Sequence, residues 1–280
     1  MGQGLGMSAG PFFGGLLYKI GFKNPVFNGF TSPGWIMAGL WSIFWICVAL
    51  WFEDVPQSQL PHSLSTASIS ERSLKEDPIP NPFHLKAKIG VMVCMCWFAM
   101  AFFLVLGAWE ENIPVFGANT RQFLWSPYAA GNFIALGGIG TLPFLVMNIF
   151  MARHIEDRKI LAFGFSTGLA GLLTFFALLE TDRLNYASVF MCWWAVALGF
   201  NVASTVPISL LSKQLPPSWN NRISLTIQIS MNTGRVLGAI WGGSGIRVGM
   251  RTYVGVEITF VGIGVLLYLV FLRDLKSKRG

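Results

Sequence analysis

Eight stretches of this chain stay apolar for about twenty residues each, at 2–20, 34–52, 87–108, 128–151, 160–180, 187–211, 223–246 and 253–272. As a helix, a run of that length covers the roughly 30 Å of hydrocarbon in a bilayer. Membrane-spanning strands are excluded, because they pair only in closed barrels and these runs lack the two-residue alternation of barrel strands. Hydrophobic residues make up 53% of the chain and charged residues 12%, against about 25% charged in soluble domains. A water-exposed globule has nowhere to hide so much apolar surface. The expectation is an all-α integral membrane bundle of about eight transmembrane helices, with the lipid bilayer as its first partner.

The net charge of +7 does not point to nucleic acid, since the basic residues fall in short clusters between the apolar runs. Thirteen Lys and Arg lie on the side that holds loops 53–86, 152–159, 212–222 and the C-terminal tail. Six lie opposite, and Arg235 is inside a span. That bias predicts both termini in the cytoplasm. Residues 53–86, rich in Ser and Pro, read as a flexible cytoplasmic linker. They divide two helices in 1–52 from a six-helix bundle in 87–280. Cys47, Cys94, Cys96 and Cys192 sit inside apolar runs without zinc-site spacing, and His62, His84 and His154 sit in loops. With no nucleophile–base pair and no phosphate loop, the chain is not read as an enzyme, and neither a metal nor a cofactor is expected.

Two glycine rows match. Gly6, Gly10, Gly14 and Gly15 repeat the pattern of Gly234, Gly238, Gly242 and Gly243, 228 residues later. Glycines four apart line one helix stripe, so another helix can approach closely in lipid. Paired helix bundles in transporters carry this kind of internal symmetry.

On these residues the chain resembles the major facilitator superfamily. The segment Gly6-Met7-Ser8-Ala9-Gly10-Pro11-Phe12-Phe13-Gly14-Gly15 is similar to the glycine–proline motif on that family's fifth helix. Residues 153–159, Arg-His-Ile-Glu-Asp-Arg-Lys, are similar to the family's Asp-Arg-x-Gly-Arg loop in its second-half form, with Ile160-Leu161 where Gly-Arg would stand. Phe27-Asn28 with Thr31, Pro33, Gly34, Trp35, Met37 and Ala38 resembles the start of the sixth helix in the vacuolar phosphate branch, whose fuller members carry an SPX domain. Gly234 to Gly238 resembles the related lysosomal branch mutated in neuronal ceroid lipofuscinosis. The resemblance implies helices five to twelve of a twelve-helix secondary transporter on a vacuolar or lysosomal membrane, working by alternating access. It implies that the missing N-terminal helices, or a second chain, are needed for transport, and that Asp157 and Arg158 brace the cytoplasmic gate.

A guanidinium near mid-span costs about 2.5–3.5 kcal/mol on insertion scales, so Arg235 must face a cavity or a partner. Ser224, Gln228, Asn232 and Arg235 follow at spacings of four, four and three, a polar stripe beside the second glycine row. Arg offers paired donors that are never deprotonated, which suits a small anion such as phosphate. Arg235, Asn232, Gln228 and Asn201 are therefore the expected substrate-binding set, the alternative being an internal pair of Arg235 with Glu257 or Glu110. Asn132, Asn148 and Asn201 otherwise bridge helices. Glu110 and Glu257 are the expected proton-coupling carboxylates, with solvated loop charges the alternative for Glu110 and Glu111. The reading is a secondary active transporter of a small anionic solute. An anion channel in the same fold and a non-transporting structural or regulatory fragment stay open.

Overall fold

The computed structural model describes residues 2–19, 24–53, 82–152, 154–215 and 219–275. Most of the expected linker, 54–81, lies outside the described residues. Each expected span contains a helix. They are α1 (Gly2–Lys19), α2 (Ser32–Trp51), α3 (Pro82–Asn119), α4 (Pro127–Met151), α5 (Asp157–Glu180), α6 (Tyr186–Ser204), α7 (Val206–Gln214), α8 (Asn220–Gly242), α9 (Gly245–Val248) and α10 (Met250–Val270). Strands are absent among the described residues. Six stretches are long and apolar enough to cross a membrane: α2, Ile89–Asn119 of α3, α4, α5, Tyr186–Gln214 and α10. α1 and α8 are not among them. In α8 the polar stripe dilutes the apolar residues, and a third of α1 is glycine.

The helix ends follow local chemistry. Ser126 accepts a hydrogen bond from the Ala129 amide at 3.3 Å ahead of Pro127 at the start of α4, and Asn185 with Ser188 forms a capping box for α6. α6 ends at Thr205 and α7 resumes with Pro207 in its first turn, because a proline withholds one amide from the helical ladder. Gly249, at φ +85°, turns the chain between α9 and α10, a conformation costly for any residue with a Cβ.

By its contacts the chain divides into residues 1–20 with 87–280, and residues 21–86. Within 21–86, the motif before α2 is a closed turn. Asn28 Oδ1 accepts from the amides of Phe30 at 2.9 Å and Thr31 at 3.1 Å. Thr31 Oγ1 and Trp35 Nε1 both donate to the Val26 carbonyl, at 2.8 and 3.1 Å. Replacing Asn28 by Ala removes the acceptor for two amides. Hydrogen exchange at Phe30 and Thr31 is expected to speed up about fivefold, the equivalent of about 1 kcal/mol. α2 itself has no buried residue, which suits a helix surrounded by lipid tails.

In the larger unit α3 is the axis. Cys94, Met95, Phe98, Phe102 and Val105 are fully buried on it. Stacked and tilted rings join it to α5 and α6: Phe98–Phe165 at 5.7 Å, Phe102–Phe200 at 5.2 Å and Trp109–Trp193 at 6.0 Å between centroids. Close approach elsewhere rests on glycine. A Cβ on Gly199 of α6 would run into the Gly164 carbonyl and Gly168 amide of α5.

The two glycine rows behave differently. Side chains on Gly234, Gly238 and Gly242 would collide with the carbonyls of Met100, Leu104 and Ala108, so α8 lies backbone to backbone on α3. On α1, Gly6, Gly10 and Gly14 have nothing within 4 Å of a built Cβ. The packed face there is the neighbouring one. Gly131 of α4 meets the Pro11 carbonyl, and Gly15 meets Tyr128 at 3.2 Å. One residue is a 100° turn of a helix, so Gly6, Gly10 and Gly14 face away from α4 while Pro11 and Gly15 face it.

Candidate functional site

Three polar clusters lie inside the larger unit, and each involves residues expected to act. The first is at the crossing of α3 and α8. The buried face of α8 is Ile223, Ile227, Met231, Gly234 and Gly238. Roughly a quarter turn away run Ser224, Gln228 and Asn232, all exposed, and Arg235, half-buried. Gly107 on α3 lets the backbone of Arg235 come close, at 3.3 Å from a built Cβ. The guanidinium lies over the Phe103 ring, 5.2 Å from its centroid, a cation–π contact that offsets part of its cost in the membrane. Its charge acts on Glu110, two turns along the same face of α3. Among the described residues the two make no ion pair within 4.0 Å. Arg235 Nη2 and Glu110 Oε1 are both buried and lack hydrogen-bond partners there. Such atoms are costly unless something completes them.

Glu110 and Glu111 were expected at the end of a span. They lie inside α3, which runs eleven residues past the expected boundary to Asn119, with Pro114 inside it. A charged pair followed by proline normally stops an apolar helix. Here Glu110 is half-buried, Glu111 is exposed, and the proline forfeits one hydrogen bond.

The second cluster surrounds Glu257 on α10, which has no exposed surface. Its Oε2 accepts from Trp109 Nε1 at 2.8 Å. Tyr253, one turn earlier and buried, sets its hydroxyl beside the carboxylate. Of the two acids considered as partners for Arg235, it is Glu110 that feels the guanidinium, while Glu257 is held by an indole. Asn112 donates to the Gly242 carbonyl at 3.2 Å and ties α3 to the end of α8.

The third cluster joins α4, α5, α6 and α7. Asp157 is buried in the first turn of α5, and its Oδ2 accepts from Lys213 Nζ at 2.7 Å and Ser209 Oγ at 3.2 Å. Arg158 turns the other way, to Glu156 at 2.6 Å, and its carbonyl accepts from the Tyr268 hydroxyl at 3.1 Å. Asn148 of α4 donates to Thr205 Oγ1 at 3.3 Å, at the break between α6 and α7. Asn148, Asp157, Thr205 and Ser209 line a cavity of about 350 Å³ that Asn201 also lines. Asn201 therefore does not join Arg235, Asn232 and Gln228, because no residue of α8 lines that cavity. The polar partners Thr205, Ser209 and Lys213 carried no sequence signal beyond being polar near a span end. Among the described residues no cluster has the composition of a metal site.

The family model described as Major Facilitator Superfamily matches residues 1–239. An uncharacterised MFS-type transporter of Schizosaccharomyces pombe is 26% identical over 98% of this chain and 58% of its own length. Another from the same yeast is 27% identical over 99% of this chain and 54% of its own length. An SPX domain-containing membrane protein of Oryza sativa is 22% identical over 63% of this chain and 31% of its own. The chain thus spans about half the length of the curated yeast relatives it matches.

Proposed function

Because this chain belongs to the major facilitator superfamily, a family of membrane transporters and not of enzymes, we propose that it serves to carry a small anion, phosphate-like in size and charge, across a membrane by alternating access. The observation that carries this reading is Arg235, a guanidinium lying over Phe103 of the apolar α3 with an Nη2 that is buried and has no partner among the described residues. Gln228 and Asn232 on the same stripe supply amide donors. An anion held there gains paired, charge-assisted hydrogen bonds that a neutral solute cannot match. Glu110, sharing the site with Arg235, is the proposed proton-coupling group, with Glu257 second to it. Protonating Glu110 strengthens the hold of Arg235 on an anion, and ionising it weakens that hold, so proton and anion move together.

In this reading residues 1–52 supply two helices of a first bundle, 53–86 the linker and 87–280 the second bundle. Asp157 and Arg158 stiffen the cytoplasmic gate, and both termini are cytoplasmic. Likeness to SPX domain-containing membrane proteins supports a vacuolar or lysosomal membrane. The test is uptake of labelled phosphate, sulfate and chloride into vesicles carrying the longest natural form of the chain. Arg235→Gln is expected to lower phosphate uptake tenfold or more, since a charged hydrogen bond is worth roughly 1.5–3 kcal/mol. Undiminished uptake by that variant removes Arg235 from the site.

A further inference from the structure

The cavity between α4, α5, α6 and α7 has a polar lining of one unusual kind. Six polar side chains reach it: Asn148, Asp157, Asn201, Ser204, Thr205 and Ser209. Each of the three hydroxyls donates its single hydrogen to the protein. Ser204 donates to the Asn201 carbonyl at 2.8 Å, Thr205 to the Val202 carbonyl at 2.8 Å and Ser209 to Asp157 Oδ2 at 3.2 Å. Both carboxamides turn their nitrogens toward protein acceptors, Asn148 to Thr205 Oγ1 at 3.3 Å and Asn201 to the Ala197 carbonyl at 2.8 Å. A carbonyl acceptor fixes the orientation of Asn201 and a carboxylate fixes the direction of the Ser209 bond, and the orientation of Asn148 follows from Thr205 giving its hydrogen to the Val202 carbonyl.

What remains toward the cavity is oxygen. Asn148 and Asn201 keep their Oδ1, Ser204 and Ser209 keep lone pairs and Asp157 keeps Oδ1, with no donor on them among the described residues, while Thr205 Oγ1 already accepts from Asn148. Only the second N–H of each carboxamide is left to offset them. Asp157 and Asn148 are 4% and 9% exposed, while Asn201, Ser204 and Ser209 are half-buried and Thr205 is exposed, so the carboxylate and one amide are sheltered and the hydroxyls lie toward water. Lys213 already lies on Asp157 Oδ2 at 2.7 Å, so the carboxylate takes a cation in this position and leaves its other oxygen free. Arg158 is engaged by Glu156. The cavity's size falls at the lower end of ligand sites.

We propose that this cavity binds a small monovalent cation, an alkali ion or a primary ammonium, through Asp157 and the amide and hydroxyl oxygens around it. Hard alkali ions and ammonium groups share a demand for several oxygens at once. The site is separate from Arg235 and does not depend on the anion reading. The test is equilibrium binding of radiolabelled sodium, rubidium and methylammonium to the full chain in lipid nanodiscs, at ionic strength held constant with N-methylglucamine chloride. Saturable binding of an alkali ion or of methylammonium is expected, and whichever saturates identifies the source. Asn148→Leu and Asp157→Asn are expected to weaken it about tenfold or more, and Arg235→Gln to leave it unchanged. Ser209→Ala keeps the Asp157–Lys213 pair and is expected to weaken it severalfold, which guards against loss through misfolding. No saturable binding of any of the three by the unmodified chain overturns the site. Binding left intact by both Asn148→Leu and Ser209→Ala overturns it as well.

Discussion

Gly238→Val separates α8 from α3. A Cβ at Gly238 meets the Leu104 carbonyl and comes within 3.0 Å of the Ala108 amide, and neither atom is a side chain that can rotate aside. Over-packing against movable side chains costs about 1–3 kcal/mol. Against backbone the helices themselves must part, so a loss of about 3 kcal/mol or more is expected, with the cation–π contact of Arg235 and the Asn112 hydrogen bond to Gly242 lost alongside. Unfolding in a denaturing-detergent titration reads the change. Gly243→Ala is the matched control, because a Cβ there has only ordinary contacts at 3.8 Å and the backbone is helical, at φ −65°. Its effect is expected to be neutral, or stabilising by up to about 1 kcal/mol from helix propensity. Gly10→Ala, with nothing within 4 Å, is expected to behave like the control. Equal losses from Gly238→Val and Gly243→Ala contradict the close α3–α8 contact.

Trp109→Ala is expected to cost as much by another route. The indole is 3% exposed, tilts on Phe175 at 5.0 Å, stacks on Trp193 at 6.0 Å and donates to Glu257 at 2.8 Å. Emptying such a position in a packed core costs about 3–5 kcal/mol. It also strips a buried carboxylate of a donor, worth about 1–3 kcal/mol more when charged. Trp109→Phe keeps most of the ring contacts and loses only the N–H. Restoring a neutral group with Glu257→Gln then separates the two contributions. Trp109→Ala alone is expected to be the worst of the set, and the Trp109→Phe, Glu257→Gln pair less damaging than Trp109→Phe alone, since the buried carboxyl that lost its donor is gone. Thermal unfolding in detergent measures all three. A Glu257→Gln change that deepens the loss in the Trp109→Phe background refutes a carboxylate dependent on the indole.

The spans were legible because lipid imposes one rule along the whole chain: twenty apolar residues, each backbone group satisfied within its own helix. Arg235 was legible for the same reason, as the costly exception to the rule. Its partner was not. Glu110 and Glu257 are equally acidic and both lie near span ends, and the choice between them depends on which face of α3 and α10 turns inward. The glycine rows show the same limit. Both have the same spacing, yet only the second carries a contact, because α1 meets α4 through Pro11 and Gly15, one position round the helix.

Local order along the chain thus determined that this protein is helical, that it lives in a bilayer and, to within a few residues, where its helices begin, since those follow from hydropathy and backbone hydrogen bonding alone. Tertiary structure decided which polar residues meet. It set Arg235 beside Glu110, gave Glu257 to Trp109, and moved Asn201 away from the guanidinium into a cavity with Asn148 and Asp157. A helix repeats every 3.6 residues, so spacing names a face, but only the packing of one helix on another says what that face touches.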